Sequence, residues 1–373
     1  MKKPLKVMLT GPIDTKGRYQ GGIAYIINTI LNSDYVNSPD MAISSFDTCR
    51  IRRSGLNTGS FSIDNLKNTV ATVKDLKKTL KRVNPDILYF NTSRGYALLK
   101  DLFVISAVKR YCKKIILHIH FGEASNLVPQ SRLFKRLFVL LINKYVDKIV
   151  LLSKVTMEQL TVWGISPSKM KVIYNFHNLD ISDEEIESKV DRIKNAEINH
   201  LIFIGSLDKR KGILDLIKAI DEITIPVVLH ICGTAKSKDV DDKLIRYAKT
   251  HNNIILHGFV DGEEKKKLLL DSAVMILPSY GEGFPIVLVE GIAASCAIIA
   301  TNVGAIPEVF SDKNGKIISP GDIASLKLSI ENLCKSEQLE IIIRNNRKLS
   351  LEFSFDKFYN EIKTACLEVA NEA

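Results

Sequence analysis

Short runs of β-branched and apolar residues alternate with longer helix-period stretches along almost the whole chain, and this alternation restricts the fold more than any other feature. Leu5–Thr10 (LKVMLT) reads as a strand and Ile23–Leu31 (IAYIINTIL) as a helix. Further strands are expected at Asp86–Phe90, Lys114–His120, Lys148–Leu152 and Lys171–Tyr174. The alternation restarts with strands His200–Ile204, Val227–Cys232, Asn253–His257, Ala273–Leu277 and Ala297–Ala300. Helices are expected between them at Ile213–Glu222, Val240–Thr250 and Ile286–Ala294. Repeated βα units close into mainly parallel sheets covered by helices, so the fold class is α/β.

A chain of 373 residues is long for one core, and two domains are expected. The polar, charge-rich stretch LDISDEEIESKVDRIKNAEIN marks the boundary. The resulting division is an N-terminal domain at 1–177, a linker at 178–199 and a C-terminal domain at 200–354. A C-terminal helix at 355–373 is expected to pack back toward the N-terminal domain.

Charge separates the halves. Residues 1–175 hold 28 Lys/Arg against 11 Asp/Glu, a balance of +17, whereas residues 176–373 hold 24 against 31, a balance of −7. A basic half suits an anionic membrane, a phosphate-bearing substrate or a nucleic acid. The stretch Ser131–Lys148 mixes Arg132, Lys135, Arg136 and Lys144 with a broad apolar face. It reads as a core helix with solvated ends or as a membrane-interface helix. The charge asymmetry leads us to expect peripheral membrane contact.

The longest apolar runs are too short to span a bilayer, and MKKPLKVMLTG has no long h-region or cleavage site. Cys49, Cys112, Cys232, Cys296, Cys334 and Cys366 are scattered, without a C-x-x-C pair. This spacing argues against a disulfide framework or a zinc site, and for a cytoplasmic chain.

In doubly wound sheets, ligands bind outside the carboxyl ends of the strands. That rule selects the loops Gly11–Gly22, Asn91–Gly95, His118–Ser125, Gly205–Gly212, Gly233–Thr234 and Pro278–Pro285. In Ser279–Glu290 (SYGEGFPIVLVE), Gly281 and Gly283 allow close backbone approach, and Pro285 suits a helix start. Free amides there favour an anion such as a diphosphate. Glu282 precedes the helix. Glu290 lies about two turns later on a similar face, at ~100° per residue. The plainer alternative is a glycine turn before a buried helix. In Gly205–Gly212 (GSLDKRKG), Lys209, Arg210 and Lys211 stand where a helix begins. Cations are unfavourable there unless an anion is present, which favours a ligand over a solvated charge run.

His118 and His120 (HIHFG) share a strand face, with His120 nearer the strand end. A lone strand histidine is more often a core residue than a catalytic one, and no further zinc ligands are evident. Gly21-Gly22 opens the first helix and alone signals only a turn. Neither a G-x-G-x-x-G fingerprint nor a P-loop is present, which argues against a dehydrogenase and a P-loop kinase.

Together these loops resemble the retaining GT-B glycosyltransferases of family 4, over nearly the whole chain. The specific part is the E-x7-E segment, Glu282 to Glu290, followed by TNVGAIPEV (Thr301–Val309). GSLDKRKG is similar to the family's G-R-L-x-x-x-K-G loop, with Lys211 at the phosphate-binding lysine and Ser206 in place of the usual arginine. Arg210 is the residue expected to supply the missing charge. Gly21-Gly22 match the glycine-rich first loop, His120 the cleft histidine, and Asn175 the asparagine that ends the first domain.

The resemblance implies GT-B architecture: two doubly wound Rossmann-like domains facing a central cleft. It implies a nucleotide-diphosphate sugar donor held by the C-terminal domain, near Gly205, with Lys211 and Arg210 on the diphosphate and Glu290 on the ribose. Glu282 and the amides of Gly283 and Phe284 would hold the sugar, with Phe259 and Val260 near the base. The N-terminal domain would bind a lipid-linked saccharide acceptor, with His120 at the reacting centre. Transfer would retain the anomeric configuration, without a metal or other cofactor and without a covalent glycosyl-enzyme, since no carboxylate nucleophile is obvious. No nucleic-acid partner is expected. Two other readings are a GT-B nucleotide-sugar epimerase and a non-catalytic basic module for membranes or nucleic acid.

Overall fold

A computed structural model of the chain describes residues 3–13, 21–49, 63–122, 127–128, 131–335 and 337–372. Parts of two loops selected above, residues 14–20 and 123–125, lie outside the described residues. The chain forms two compact units: Met1–Tyr174 with Phe358–Ala373, and Asn175–Lys357.

The first unit is built on six parallel strands: β1 (Leu5–Gly11), β2 (Met41–Asp47), β3 (Ile87–Thr92), β4 (Lys114–Ile119), β5 (Lys148–Leu151) and β6 (Met170–Val172). Their order is β2-β1-β3-β4-β5-β6. β3 is buried along its whole length and β4 at all but its first residue, as expected of parallel strands covered on both faces. β2 is an edge strand of sequence MAISSFD, only partly buried, with serines that weaken its apolar signal.

The second unit has β7 (Asn199–Ile204), β8 (Val227–Cys232), β9 (Ile254–Gly258), β10 (Val274–Leu277), β11 (Ala297–Thr301) and β12 (Gly315–Ile318). All pair in parallel, in the order β12-β11-β10-β7-β8-β9. The charge-rich stretch before β7 carries the helix Asp183–Lys194 and belongs to this unit. A capping box starts it: Ser182 accepts from the Glu185 amide, and the Glu185 side chain accepts from the Ser182 amide. The final helix, Phe355–Asn371, belongs to the first unit from Phe358 onward. There Tyr359 stacks on Tyr35 at 4.2 Å, and Glu368 meets Lys148 at 3.0 Å.

These strand orders place the ligand-binding ends. In the second unit the chain steps outward through β7, β8 and β9, then returns to lay β10 against the other side of β7. Loops leaving β7 and β10 therefore diverge and open a crevice at their carboxyl ends. Those loops are Gly205–Gly212 and Pro278–Pro285. In the first unit the reversal falls between β1 and β3, and His120 follows β4, the next strand.

Candidate active site

At the β7/β10 reversal the two loops are locked together. Gly212 has φ +70°, and a Cβ there would sit 2.0 Å from the Pro278 carbonyl oxygen, so only glycine lets the backbones approach this closely. The Tyr280 amide donates to the Arg210 carbonyl at 2.8 Å, and the Tyr280 hydroxyl to Asp215 at 2.7 Å. With this frame in place, Lys211 Nζ donates to Glu282 Oε1 at 2.5 Å. Arg210 Nη1 donates to the Gly281 carbonyl at 2.8 Å and lies 3.9 Å from the same Glu282 oxygen. Two cations from one loop thus converge on the carboxylate of the other.

Ser206, where the resemblance expects arginine, has a local task. Its hydroxyl donates to Asp208 Oδ2 at 2.8 Å, while Asp208 Oδ1 accepts from the Lys211 amide at 3.0 Å and caps the cationic turn. Burial pushes the Asp208 carboxyl up, but the Ser206 and Lys211 hydrogen bonds, with Arg210 and Lys236 nearby, hold it below its ordinary range. A groove of about 770 Å³ opens beside this turn, lined by Lys209, Arg210, Lys218, Lys243 and Arg246 among others. It extends a positive field from the loop.

A third segment supports the glycine loop. Thr301 Oγ1 donates to the Ser279 carbonyl, and the Ala305 amide to the Gly283 carbonyl at 2.9 Å. Gly304 has φ +57°, and a Cβ there would stand 2.3 Å from the Gly283 carbonyl oxygen and 2.4 Å from that of Glu282. From the other side, Asn175 Nδ2 donates to the Phe284 carbonyl. The Phe284 ring is buried against Phe353 and Phe310, so this residue anchors the loop through its side chain. Helix Ile286–Ala293 follows, with Pro285 at its N-cap and no side-chain cap. Such a start directs amide dipoles toward an anion.

Glu290 lies in the second turn of that helix and is almost wholly buried. Its Oε1 accepts from Lys265 Nζ at 2.6 Å. Burial pushes the Glu290 carboxyl above its ordinary value, and Lys265 pulls it back. Lys265 escaped the sequence reading because it stands inside the run EEKKK (Glu263–Lys267), which looks like a solvated helix face.

In the first unit, His118 and His120 stack at 3.8 Å between ring centroids. Asn91 Nδ2 donates to the Thr10 carbonyl at 2.9 Å, so Asn91 Oδ1 is left to accept from His120 Nε2 at 2.8 Å. This assigns the His120 proton to Nε2 and leaves Nδ1 as a lone pair. The Tyr89 hydroxyl meets His118 Nδ1 at 3.0 Å. Burial lowers His120 to about 3, and burial with His120 alongside lowers His118 well below its ordinary value. Both rings are therefore neutral at physiological pH.

The remaining sequence candidates are placed as follows. Gly21 is the extended N-cap of helix Gly22–Leu31, and packing among the described residues leaves room for a Cβ there. The Gly205 amide donates to the Cys232 carbonyl at 3.0 Å, at the crevice end of β7. After β9, Phe259 is 49% exposed whereas Val260 is buried, so of the two rings and branches only Phe259 offers a free surface. The structure brings Arg210, Lys211, Glu282, Gly283 and Phe284 into one cluster, and pairs Glu290, on the helix that follows the glycine loop, with Lys265 of helix Gly262–Asp271.

Two parallel sheets, each with polar loops at its reversal, define a two-unit α/β protein. Known proteins narrow this class. The family described as Glycosyl transferases group 1 matches residues 184–349, and the family described as Glycosyltransferase Family 4 matches residues 47–181. An O-antigen biosynthesis glycosyltransferase, WclY, from Escherichia coli is 30% identical over 67% of this chain and 70% of its own length. A Campylobacter jejuni N-acetylgalactosaminyltransferase, whose name gives a diphospho-undecaprenol-linked substrate, is 27% identical over 64% of this chain and 68% of its own. An uncharacterized protein of the Klebsiella pneumoniae cps region is 24% identical over 94% of this chain and 92% of its own. The crystal structure of Anabaena HepE in complex with UDP superposes with a TM-score of 0.70 at 17% identity, covering 98% of this chain and 100% of that one. That likeness bears on the fold, which is of the GT-B kind. The chain belongs to the family 4 glycosyltransferases and is a transferase.

Proposed function

We propose that the chain moves a hexose-type sugar from a nucleotide-diphosphate sugar to a lipid-linked saccharide in bacterial surface polysaccharide assembly, with retention at the anomeric carbon. The observation that carries this reading is the convergence of Lys211 and Arg210 on Glu282 at the β7/β10 reversal. Before donor arrives, the cations neutralise Glu282. A diphosphate entering at the uncapped helix start supplies a stronger partner for them, which frees Glu282 to accept hydrogen bonds from sugar hydroxyls. As the bond from C1 to the diphosphate oxygen breaks, the cations and amides stabilise the charge that collects on the leaving group. The acceptor hydroxyl oxygen bonds to C1 from the same face, and its proton passes to the departing phosphate oxygen. No metal is required in this scheme, since Lys211 and Arg210 take the leaving-group charge. His120 serves the acceptor side as a neutral hydrogen-bonding group.

The relatives' roles in O-antigen assembly and in diphospho-undecaprenol-linked transfer support the acceptor class. The first unit supports work at an anionic membrane from the cytoplasmic side. Helices Ile63–Val83, Tyr96–Val108 and Arg132–Tyr145 pack side by side over its core. Their outer surfaces expose Val70, Phe103, Leu133 and Leu140 together with Lys74, Lys78, Arg132 and Arg136. Apolar tips among cations suit peripheral binding. No helix among the described residues is long and apolar enough to cross a membrane.

The test is a donor panel combined with a lipid extract and mass analysis of the product. One donor should yield a glycosylated lipid and free nucleoside diphosphate, undiminished by a chelator. A protein that no donor or nucleoside diphosphate stabilises against heat would end this reading.

A further inference from the structure

The cationic turn Lys209–Lys211 serves two places. Lys211 pairs with Glu282, whereas Lys209 takes no part in that cluster and lines the neighbouring groove. Arg210 borders both: it lines the groove, and its Nη1 reaches the Gly281 carbonyl. Helices Ile213–Asp221 and Lys238–Thr250 supply the groove's walls. They follow β7 and β8 in a sheet that steps β7-β8-β9 in one direction, so right-handed crossovers put both on the same face. The first packs against helix Ile323–Lys335 rather than against the second. A groove of about 770 Å³ remains between the two. Each wall presents one helical face at i, i+3, i+4 spacing: Leu214, Ile217 and Lys218 from the first, Lys243, Arg246 and Tyr247 from the second.

Two tyrosines complete the lining, and helix Ile213–Asp221 holds both. The Tyr280 hydroxyl donates to Asp215 at 2.7 Å, which fixes the ring while leaving it 48% exposed. The charge of Asp221 raises the Tyr247 hydroxyl above its ordinary value, and the two also hydrogen-bond. The charge of the groove is one-sided. Lys209, Arg210, Lys218, Lys243 and Arg246 line it, and Asp215, already bonded to Tyr280, is the single acid among the lining residues. Lys243 has a partner in Asp239 at 3.3 Å, both open to solvent. Lys209, Lys218 and Arg246 make no ion pair among the described residues. This concentration of cations stands in the half of the chain whose balance is −7, so it is not a by-product of overall charge. Crowded cations repel one another until an anion enters.

We infer that the groove between helices Ile213–Asp221 and Lys238–Thr250 binds a short anionic oligosaccharide, beside the donor loop and separate from the Lys211–Glu282 cluster. The cations supply charge-assisted hydrogen bonds to the carboxylates of uronic acids or to sugar phosphates. The electron-rich face of a fixed tyrosine attracts the C–H face of a pyranose. The volume suits a ligand of several rings rather than one sugar. A glycan held there lies next to the loop that carries Arg210, on the outer side of the turn. This goes beyond the transfer reading, and its test uses no donor.

The test is calorimetric titration of the full chain with tetragalacturonate, which carries carboxylates, and with a phosphorylated maltotetraose. Neutral maltotetraose, inorganic phosphate and an oligothymidylate are run beside them. At least one anionic sugar should bind about tenfold or more tightly than maltotetraose, and which one binds identifies the charged group. Its affinity should fall as salt is raised from about 50 to 300 mM. Lys218→Glu combined with Arg246→Glu should abolish that binding, and Tyr247→Leu should weaken it several-fold. If the double Glu variant does not fold, Lys218→Gln with Arg246→Gln removes the same charges and should weaken binding by about tenfold. Lys211→Met, on the donor side of the turn, should bind these sugars like wild type. The inference is overturned if neither anionic sugar binds, if maltotetraose binds equally well, or if a folded double variant binds like wild type. Loss of binding in Lys211→Met would move the ligand into the donor crevice and overturn it too. So would inorganic phosphate binding as tightly as the sugars, which would leave a simple anion site, or tighter binding of the oligothymidylate, which would make this a nucleic-acid groove. Failure of the transfer reading leaves every one of these outcomes readable.

Discussion

The carboxyl ends of the two sheets handle polarity in opposite ways. In the first unit, Tyr89, His118, His120, Asn91 and Thr10 form a network in which neither histidine is charged at neutral pH. In the second, Lys211 meets Glu282 and Lys265 meets Glu290 in close pairs of opposite charge type. Burial explains both. An unpaired imidazole escapes desolvation by staying neutral, whereas a carboxylate beside an ammonium can remain ionised. A neutral network suits a hydroxyl acceptor, which carries no charge until it reacts. A paired one suits an anion, which can exchange places with the internal carboxylate.

The hardest way to break the contrast is to remove a charge from the second unit. Lys211→Met should lower kcat/KM for transfer by about 100- to 1000-fold, the scale for losing one preorganised group that stabilises developing charge. The fold should survive, since Lys211 is a partly buried loop residue. Heat denaturation would report that, and steady-state kinetics the loss. A Lys211→Met enzyme within a few-fold of wild type would show that the ion pair is structural.

The matching change in the first unit is His120→Ala. Here kcat should fall by about 100-fold, the lower end for a positioned hydrogen-bonding or proton-handling group. The donor KM should stay near wild type, because the residues proposed to hold the donor are in the other unit. Since burial holds His120 near 3, the wild-type rate profile should show no limb from this residue between pH 5 and 8. A limb near 6.5 that disappears in His120→Ala would mean the ring is charged in use, and the contrast between the units would fail.

How far this contrast could be read from sequence depends on the distance between its parts. The parallel sheets followed from alternation, and the rule for strand ends selected both loops that meet at the β7/β10 reversal. Their pairing was not legible, because Lys211 and Glu282 are 71 residues apart. β2 escaped because its serines dilute the apolar pattern, and β12 because GKII opens on a glycine and a lysine and offers only two apolar residues. Helix Asp183–Lys194 did carry a local signal, the Ser182-x-x-Glu185 capping box, which its polar composition masked. Ser206 looked like a missing charge, yet it holds the aspartate that caps the cationic turn.

A smaller effect sharpens the second unit's side of the comparison. Gly304→Ala places a methyl group where the Glu282 and Gly283 carbonyl oxygens lie within 2.4 Å, at a φ of +57°. The glycine loop must shift, at a cost of about 1–3 kcal/mol in stability. Donor affinity should drop by about tenfold while the His120 network, being in the other unit, keeps its geometry. Comparing nucleoside diphosphate affinity with the melting temperature tests this. Unchanged affinity despite a lowered melting temperature would mean that the loop's position does not govern donor binding.

The mildest prediction at neutral pH concerns a row of histidines inside the charged unit itself. His200, His230 and His257 stand on adjacent strands β7, β8 and β9, with nitrogen-to-nitrogen distances of 2.8 Å and 2.9 Å. Each such bond needs one protonated and one bare nitrogen, so a neutral His230 can donate through one ring nitrogen and accept through the other. Burial, then His200 and His257, lower His230 to about 4, with Asp271 opposing. An unfolded histidine takes up its proton near 6.5, so on acidification the unfolded chain binds a proton that folded His230 refuses. The stability tied to His230 is therefore complete above about 6.5 and is lost as pH falls toward about 4, at ~1.4 kcal/mol per pH unit. His118 and His120 add the same sign of dependence in the first unit. His230→Gln should behave like wild type in transfer at pH 7.5 and show a shallower fall of stability between pH 6.5 and 5, by about one proton. Urea melts at several pH values measure that slope. An unchanged slope would place the acid sensitivity in the first unit's histidines, and would leave the second unit's stability governed by its ion pairs alone.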